Sequence, residues 1–205
     1  MRARRRPQFH PLKVARVERL TDDAVAVTFD IPAELEEDYR FAPGQALTLR
    51  RVEGERDERR SYSICAPAGA APRVGVREVP GGFFSSYLVH EVRPGDEIEV
   101  LPPSGNFTAD LSVPGDHVFV VAGSGITPAL SLAATVLRDG TSTVTVFYGN
   151  RRTNTVMFVD ELADLKDRYG PRLQLVHVLS REPRDAEITN GRLDGERLRT
   201  LVAAL

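Results

Sequence analysis

Arg60-Ser61-Tyr62-Ser63 puts a cation, a flat aromatic and hydroxyls into one strand-like stretch. Side chains alternate along a strand, so Arg60 and Tyr62 share a face and Ser61 takes the other. Arg60 suits paired phosphate oxygens. Tyr62 suits stacking on a ring, and Ser63 suits a hydroxyl hydrogen bond to a ring nitrogen. Together they fit a flavin, with Tyr62 and Ser63 beside its reacting ring. Taken alone, the run is better explained as an ordinary edge strand. Gly81-Gly82-Phe83-Phe84-Ser85 strengthens the flavin reading: glycines followed by a hydroxyl at a helix start make a donor-rich corner for a diphosphate. The plainer alternative is a glycine turn with Ser85 as a helix N-cap. Arg77, in the strand just before, is placed to contact a flavin tail, and by itself is a surface arginine.

Gly123-Ser124-Gly125-Ile126-Thr127-Pro128 follows an apolar run and opens a helical one. Gly123 and Gly125 let backbone approach a pyrophosphate. Thr127 reads as the N-cap and Pro128 as the first helical residue. The third glycine of the usual dinucleotide fingerprint is absent, so a tight strand–helix turn explains the run equally well. Tyr148-Gly149-Asn150-Arg151-Arg152 closes the next strand, where ligands of open α/β sheets sit. Arg151 and Arg152 stand where a 2′-phosphate would be read, which favours NADPH over NADH. Two solvated arginines are the competing explanation.

The elements that must position these residues fall into two rhythms. Residues 13–19, 24–29, 46–50, 60–65, 73–79 and 97–101 alternate in strand fashion, separated by Pro43-Gly44, Pro80-Gly81-Gly82 and Pro94-Gly95-Asp96. This spacing predicts a small antiparallel six-stranded β-barrel, with a short helix over 84–89 plugging one end. After Pro114-Gly115-Asp116, residues 117–122 form a continuous apolar run, as in a strand buried on both faces. Helices over 128–137, 156–169 and 195–205 alternate with strands over 143–148 and 173–179, predicting a parallel doubly wound α/β sheet. The domain division is expected at 1–113 and 114–205.

Composition narrows the function. The chain has 205 residues, 41% hydrophobic and 27% charged, which suits a soluble globular protein. A net charge of -2 argues against nucleic acid as a partner, and Arg2, Arg4, Arg5 and Arg6 read as a solvated tail. Cys65 is the one cysteine, too few for a disulfide or an iron–sulfur cluster and suited to a cytoplasmic location. His10, His90, His117 and His177 lack ligand spacing, so no metal is expected. No apolar run reaches membrane-spanning length.

These pieces, in this order, resemble the ferredoxin–NADP reductase superfamily, and within it the reductase components of bacterial oxygenases. The resemblance covers roughly residues 8–205. Besides the runs above, it is carried by Pro102-Pro103-Ser104-Gly105-Asn106-Phe107 and by Phe158-Val159-Asp160-Glu161-Leu162. The resemblance implies a Greek-key barrel holding FAD through Arg60, Tyr62, Ser63, Arg77, Gly82 and Ser85. It implies a second domain holding NADPH or NADH through Gly123, Gly125, Thr127, Tyr148, Asn150 and Arg151. Hydride would pass to the flavin, and electrons would leave singly to a ferredoxin, an iron–sulfur domain or an oxygenase component. The rival readings are a flavin-binding scaffold or regulatory module without turnover, and a reductase of free flavin. Two departures stand out. No iron–sulfur domain follows, and the nucleotide domain looks truncated at its C-terminus. In the usual strand order the missing strands lie beside residues 117–122, leaving an apolar edge. The expectation is a fragment of a longer reductase, or a partner chain that covers the gap.

Overall fold

The computed structural model describes residues 7–111 and 113–204. The N-terminal arginine run and Leu205 lie outside the described residues. Six strands build the first domain: β1 (His10–Thr21), β2 (Ala24–Asp30), β3 (Ala46–Glu53), β4 (Arg56–Ser63), β5 (Arg73–Arg77) and β6 (Glu97–Ser104). Every pairing is antiparallel, in the order β4-β3-β6-β1-β2-β5. Just past β4, an Ile64–Val74 bridge and a 2.8 Å bond from the Cys65 N–H to Arg73 O bring the two outer strands together. Alternation explains the core: Leu12, Val14, Val25, Val27, Leu47, Leu49, Val74, Val76, Ile98 and Val100 all point inward. Helix α1 (Phe83–His90) adds Phe84, Leu88 and Val89 to the same core, as the expected plug does.

The second domain is a parallel sheet of β7 (Asp116–Ala122), β8 (Thr143–Asn150) and β9 (Leu173–Leu179), in that order. Helices α2 (Ile126–Asp139) and α3 (Val159–Tyr169) cover one face, packing Ile126, Leu130, Leu137 and Leu162 against Val144, Val146 and Leu173. Helix α4 (Gly195–Ala203) covers the other, with Leu201 against Phe147 and Val178. The antiparallel barrel and the doubly wound sheet expected from the sequence are both present. No helix of the described residues is long and apolar enough to cross a membrane.

Several local expectations need correction. Strand β5 ends at Arg77, short of 79. Helix α2 starts at Ile126 with Gly125 as N-cap, so Thr127 is not the cap; its hydroxyl donates to Ser124 O at 3.0 Å. Pro128 therefore falls in the first turn, where its missing N–H costs nothing. Residues 153–155 form a separate 3-10 turn, and α3 begins only at Val159. Strand β7 is not buried on both faces. It alternates exposed and half-buried residues: Phe119 and Val121 pack with the α2–α3 core, whereas Val118 and Val120 turn to the other face and are exposed. Among the described residues β7 pairs only with β8.

Candidate functional site

One cavity of about 250 Å³ opens where β4 meets the turn into α1. Arg60, Tyr62, Arg77, Gly82 and Ser85 all line it. Gly82 caps α1, and the chain folds back on itself there: the Gly82 N–H donates to Val79 O at 2.7 Å, and the Val79 N–H donates to Ser85 Oγ at 3.0 Å. Ser85 is thus not an N-cap. Its oxygen ties the turn that precedes its own helix. Tyr62 meets Phe84 edge-on at 6.4 Å, and burial pushes its phenol up to about 12, so the ring stays neutral at ordinary pH. Ser63 is half-buried at the end of β4, opposite Ala46, and is not among the cavity-lining residues.

The cavity also holds residues that sequence reasoning missed. Glu58 lies on the Arg60–Tyr62 face, 2.9 Å from Arg60 Nη2 and 2.6 Å from Arg56 Nη2. Arg56 in turn lies over the Phe83 ring at 4.1 Å, and Arg51 covers Phe83 and Tyr87 at 4.1 Å while donating to Phe83 O at 2.8 Å. The two-residue period through 56, 58, 60 and 62 was the available signal.

A second set gathers at the carboxyl ends of β7 and β8. The Tyr148 hydroxyl donates to Gly123 O at 2.9 Å, which ties the glycine turn to β8. Burial pushes that phenol up to about 12. Both amide atoms of Asn150 are buried and have no hydrogen-bond partner among the described residues, although the amide lies beside the Tyr148 hydroxyl. Such an orphaned amide is costly unless a ligand satisfies it. Gly125 and Arg151 are exposed, and Thr127 is buried. The Arg151 carbonyl accepts from the Arg181 N–H at 2.8 Å, and Arg152 and Arg184 both act on the Glu182 carboxylate, whose bonds from Thr153 hold it below the usual range. The arginine-bearing loops after β8 and β9 thus lie side by side beyond the sheet.

Arg77 joins the two sets. It lines the cavity, yet its Nη2 donates to Thr155 O at 2.5 Å and its Nε lies 3.4 Å from Asp23. The hydrogen bond runs to the nucleotide domain and the ion pair to the β1–β2 turn of the barrel, and neither partner lines the cavity.

A family model for the oxidoreductase FAD-binding domain matches residues 11–109, and one for the oxidoreductase NAD-binding domain matches residues 119–203. One component of the 1,2-phenylacetyl-CoA epoxidase of Escherichia coli is 44% identical over 201 residues, covering 96% of this chain and 56% of that protein. The ferredoxin reductase component of the 3-ketosteroid-9-alpha-monooxygenase of Rhodococcus rhodochrous is 37% identical over 172 residues, covering 82% of this chain and 48% of that protein. The chain spans about half the length of these curated relatives. A ferredoxin NADP+ reductase from Neisseria gonorrhoeae, solved with bound FAD and NADP, shares the fold with a TM-score of 0.79 at 24% identity, covering 96% of this chain and 78% of that one.

Proposed function

We propose a function for this chain from its family: it belongs to the oxidoreductases that join an FAD-binding domain to an NAD-binding domain. It takes electrons from NAD(P)H onto bound FAD and passes them to a one-electron acceptor of the iron–sulfur or oxygenase-component kind. The observation that carries this reading is Arg77, which borders the FAD-type cavity while bonding the turn beside the NAD-type loop. The two sites are therefore neighbours.

The residues fit both cofactors. Arg60 and the Gly82–Ser85 corner suit a diphosphate, Tyr62 offers a neutral ring face, and Ser63 a hydroxyl. The unsatisfied Asn150 amide, Thr127 and the Gly123–Gly125 turn suit a nicotinamide nucleotide. When bound, the pair supplies hydride transfer followed by single-electron release, chemistry that belongs to the cofactors. The chain binds, orients and excludes water; none of its side chains acts as a nucleophile. The Arg151, Arg152, Arg181 and Arg184 cluster favours a 2′-phosphate, hence NADPH. An Arg151→Ala variant that keeps its NADPH preference would remove that assignment. A cytoplasmic location belongs to the same reading.

A second reading rests on β7, an edge strand among the described residues that also exposes Val118 and Val120 at 58% and 49%. On it, the chain holds flavin but turns over only when other polypeptide pairs with that edge. The visible spectrum of the FAD-loaded chain, before and after anaerobic NADPH, separates the two. Bleaching supports the reductase. An unchanged flavin band supports the second reading. Absence of any flavin band rejects both.

A further inference from the structure

The barrel strand β5 carries an interface on its outer face. Val74 and Val76 point into the barrel core, so Arg73, Gly75 and Arg77 take the opposite side. Each of the three meets a different part of the nucleotide domain. Arg73 Nη2 bonds both carboxylate oxygens of Glu161 on α3, at 2.8 and 2.5 Å. Arg77 Nη2 bonds Thr155 O at 2.5 Å, just before α3, and its Nη1 would lie 3.3 Å from a Cβ placed on Gly123.

Between the two arginines, Gly75 is buried. A Cβ there would stand 2.6 Å from Thr127 Cγ2 and 2.9 Å from Phe158 Cζ. Gly75 does not have a positive φ, so it is space and not conformation that asks for glycine. Neither neighbour retreats cheaply. Thr127 is buried in the first turn of α2, with its hydroxyl engaged by Ser124 O. Phe158 is buried, and among the described residues it is the one non-glycine with positive φ, at 59°. That backbone is unfavourable for a residue bearing a Cβ. It persists where surrounding packing enforces it, and here the ring is packed against the β5 backbone.

We propose that Arg73, Gly75 and Arg77 form a docking rail for the nucleotide domain, and that the missing side chain at Gly75 sets the separation between the FAD cavity and the Gly123–Pro128 loop. Gly75 is on this account a positioning residue. Its kinetic consequence rests on the reductase reading above; its geometric consequence does not. Relieving the contacts of a new Cβ would move Thr127 and its loop by roughly 1 Å, a displacement that can cost a reaction on the order of a hundredfold.

The test compares the full wild-type chain with Gly75→Ala and Gly75→Val by FAD titration, calorimetry and anaerobic stopped-flow reduction with NADPH. We expect FAD affinity within about twofold of wild type in both variants, because the cavity is untouched. We expect one calorimetric transition for wild type and two separated transitions for Gly75→Val, as the domains uncouple. Flavin reduction should slow by at least about tenfold in Gly75→Ala. Thr127→Ser in the Gly75→Ala background removes the struck methyl and should recover part of that rate. A Gly75→Val chain with the wild-type melting profile overturns the proposal, as does a wild type that already unfolds in two steps. Loss of FAD affinity alongside the other changes would mark a barrel defect and overturn it too. A wild type that NADPH cannot reduce rejects the reductase reading, and the calorimetric comparison still decides the rail.

Discussion

Arg60 sits in the cavity already committed, since Glu58 holds it at 2.9 Å while Arg56 grips the same carboxylate at 2.6 Å. A diphosphate entering there competes with Glu58 for both cations. Two consequences follow from the charges alone. Arg60→Ala removes a charge-assisted contact of about 1.5–3 kcal/mol, so FAD affinity should fall roughly ten- to hundredfold while riboflavin, which lacks the diphosphate, binds almost unchanged. Glu58→Gln removes the competing negative charge, so FAD should bind severalfold more tightly, most clearly at low salt. Fluorescence titration of both flavins measures each change, and equal losses for FAD and riboflavin would remove Arg60 from the diphosphate. His177 gives a pH prediction. Burial, assisted by the Arg184 charge, lowers its pKa from the ordinary 6.5, and its ring packs 5.8 Å from Tyr148. The unfolded chain then binds the proton more readily than the folded one. Stability is therefore full above about 6.5 and is lost as pH falls from there toward the depressed folded value. Denaturation at pH 7.5 and 5.5 should show this loss in wild type, and a smaller one in His177→Gln. Equal slopes in both chains would reject it.

At the scale of elements, the Gly82 corner shows how a short segment builds a site. A Cβ on Gly82 would stand 2.6 Å from Ser85 Oγ and 2.8 Å from Val79 O, the two atoms that close the turn. Gly82→Ala should lower stability by about 1–3 kcal/mol, as overpacking does, and weaken FAD binding with it. Thermal denaturation with and without FAD checks both, and an unaltered FAD-induced rise in Tm would show the corner to be uninvolved. Local elements were the legible ones. Alternation through 24–29 and 73–79 and the apolar stripe of α2 follow from chain geometry, and all three elements formed, although β5 stops at Arg77 and α2 runs from Ile126 to Asp139. The helix start was misplaced because Thr127-Pro128 imitates a cap and first-turn pair, while the turn of Gly123–Gly125 feeds directly into Ile126. The Glu58–Arg56 pair follows the two-residue period of β4 and went unread, whereas the placing of Arg56 over Phe83 and the tight approach at Gly75 were not legible. Each depends on which distant element lies opposite, and nothing local to 56–58 or 73–77 specifies α1 or Phe158.

The whole molecule has its least satisfied surface at β7. The apolar run of that strand reads as buried on both faces, while the strands expected beside it read as missing, which leaves an apolar edge. The edge is what is found, with Val118 and Val120 58% and 49% exposed and, among the described residues, no strand paired on its free side. An open edge presents unpaired backbone N–H and C=O groups, and apolar side chains beside it make that edge a template for another chain. The outer barrel strand β4 instead carries arginine, aspartate and glutamate side chains, which discourage such pairing. Self-association through the nucleotide domain is the expected behaviour of this chain in isolation. It should grow with concentration and with added sulfate, which strengthens apolar contact, whereas association through charged patches would weaken as salt rises. A Val118→Lys/Val120→Thr variant places a charge on the edge and removes apolar surface, so it should stay monomeric at concentrations where wild type associates. Its FAD affinity should be unchanged, since neither residue lines the cavity. Sedimentation velocity across a concentration series reads the outcome. Wild type and variant associating alike would move the interface away from β7, and with it the support for a reductase completed by strand pairing on that edge.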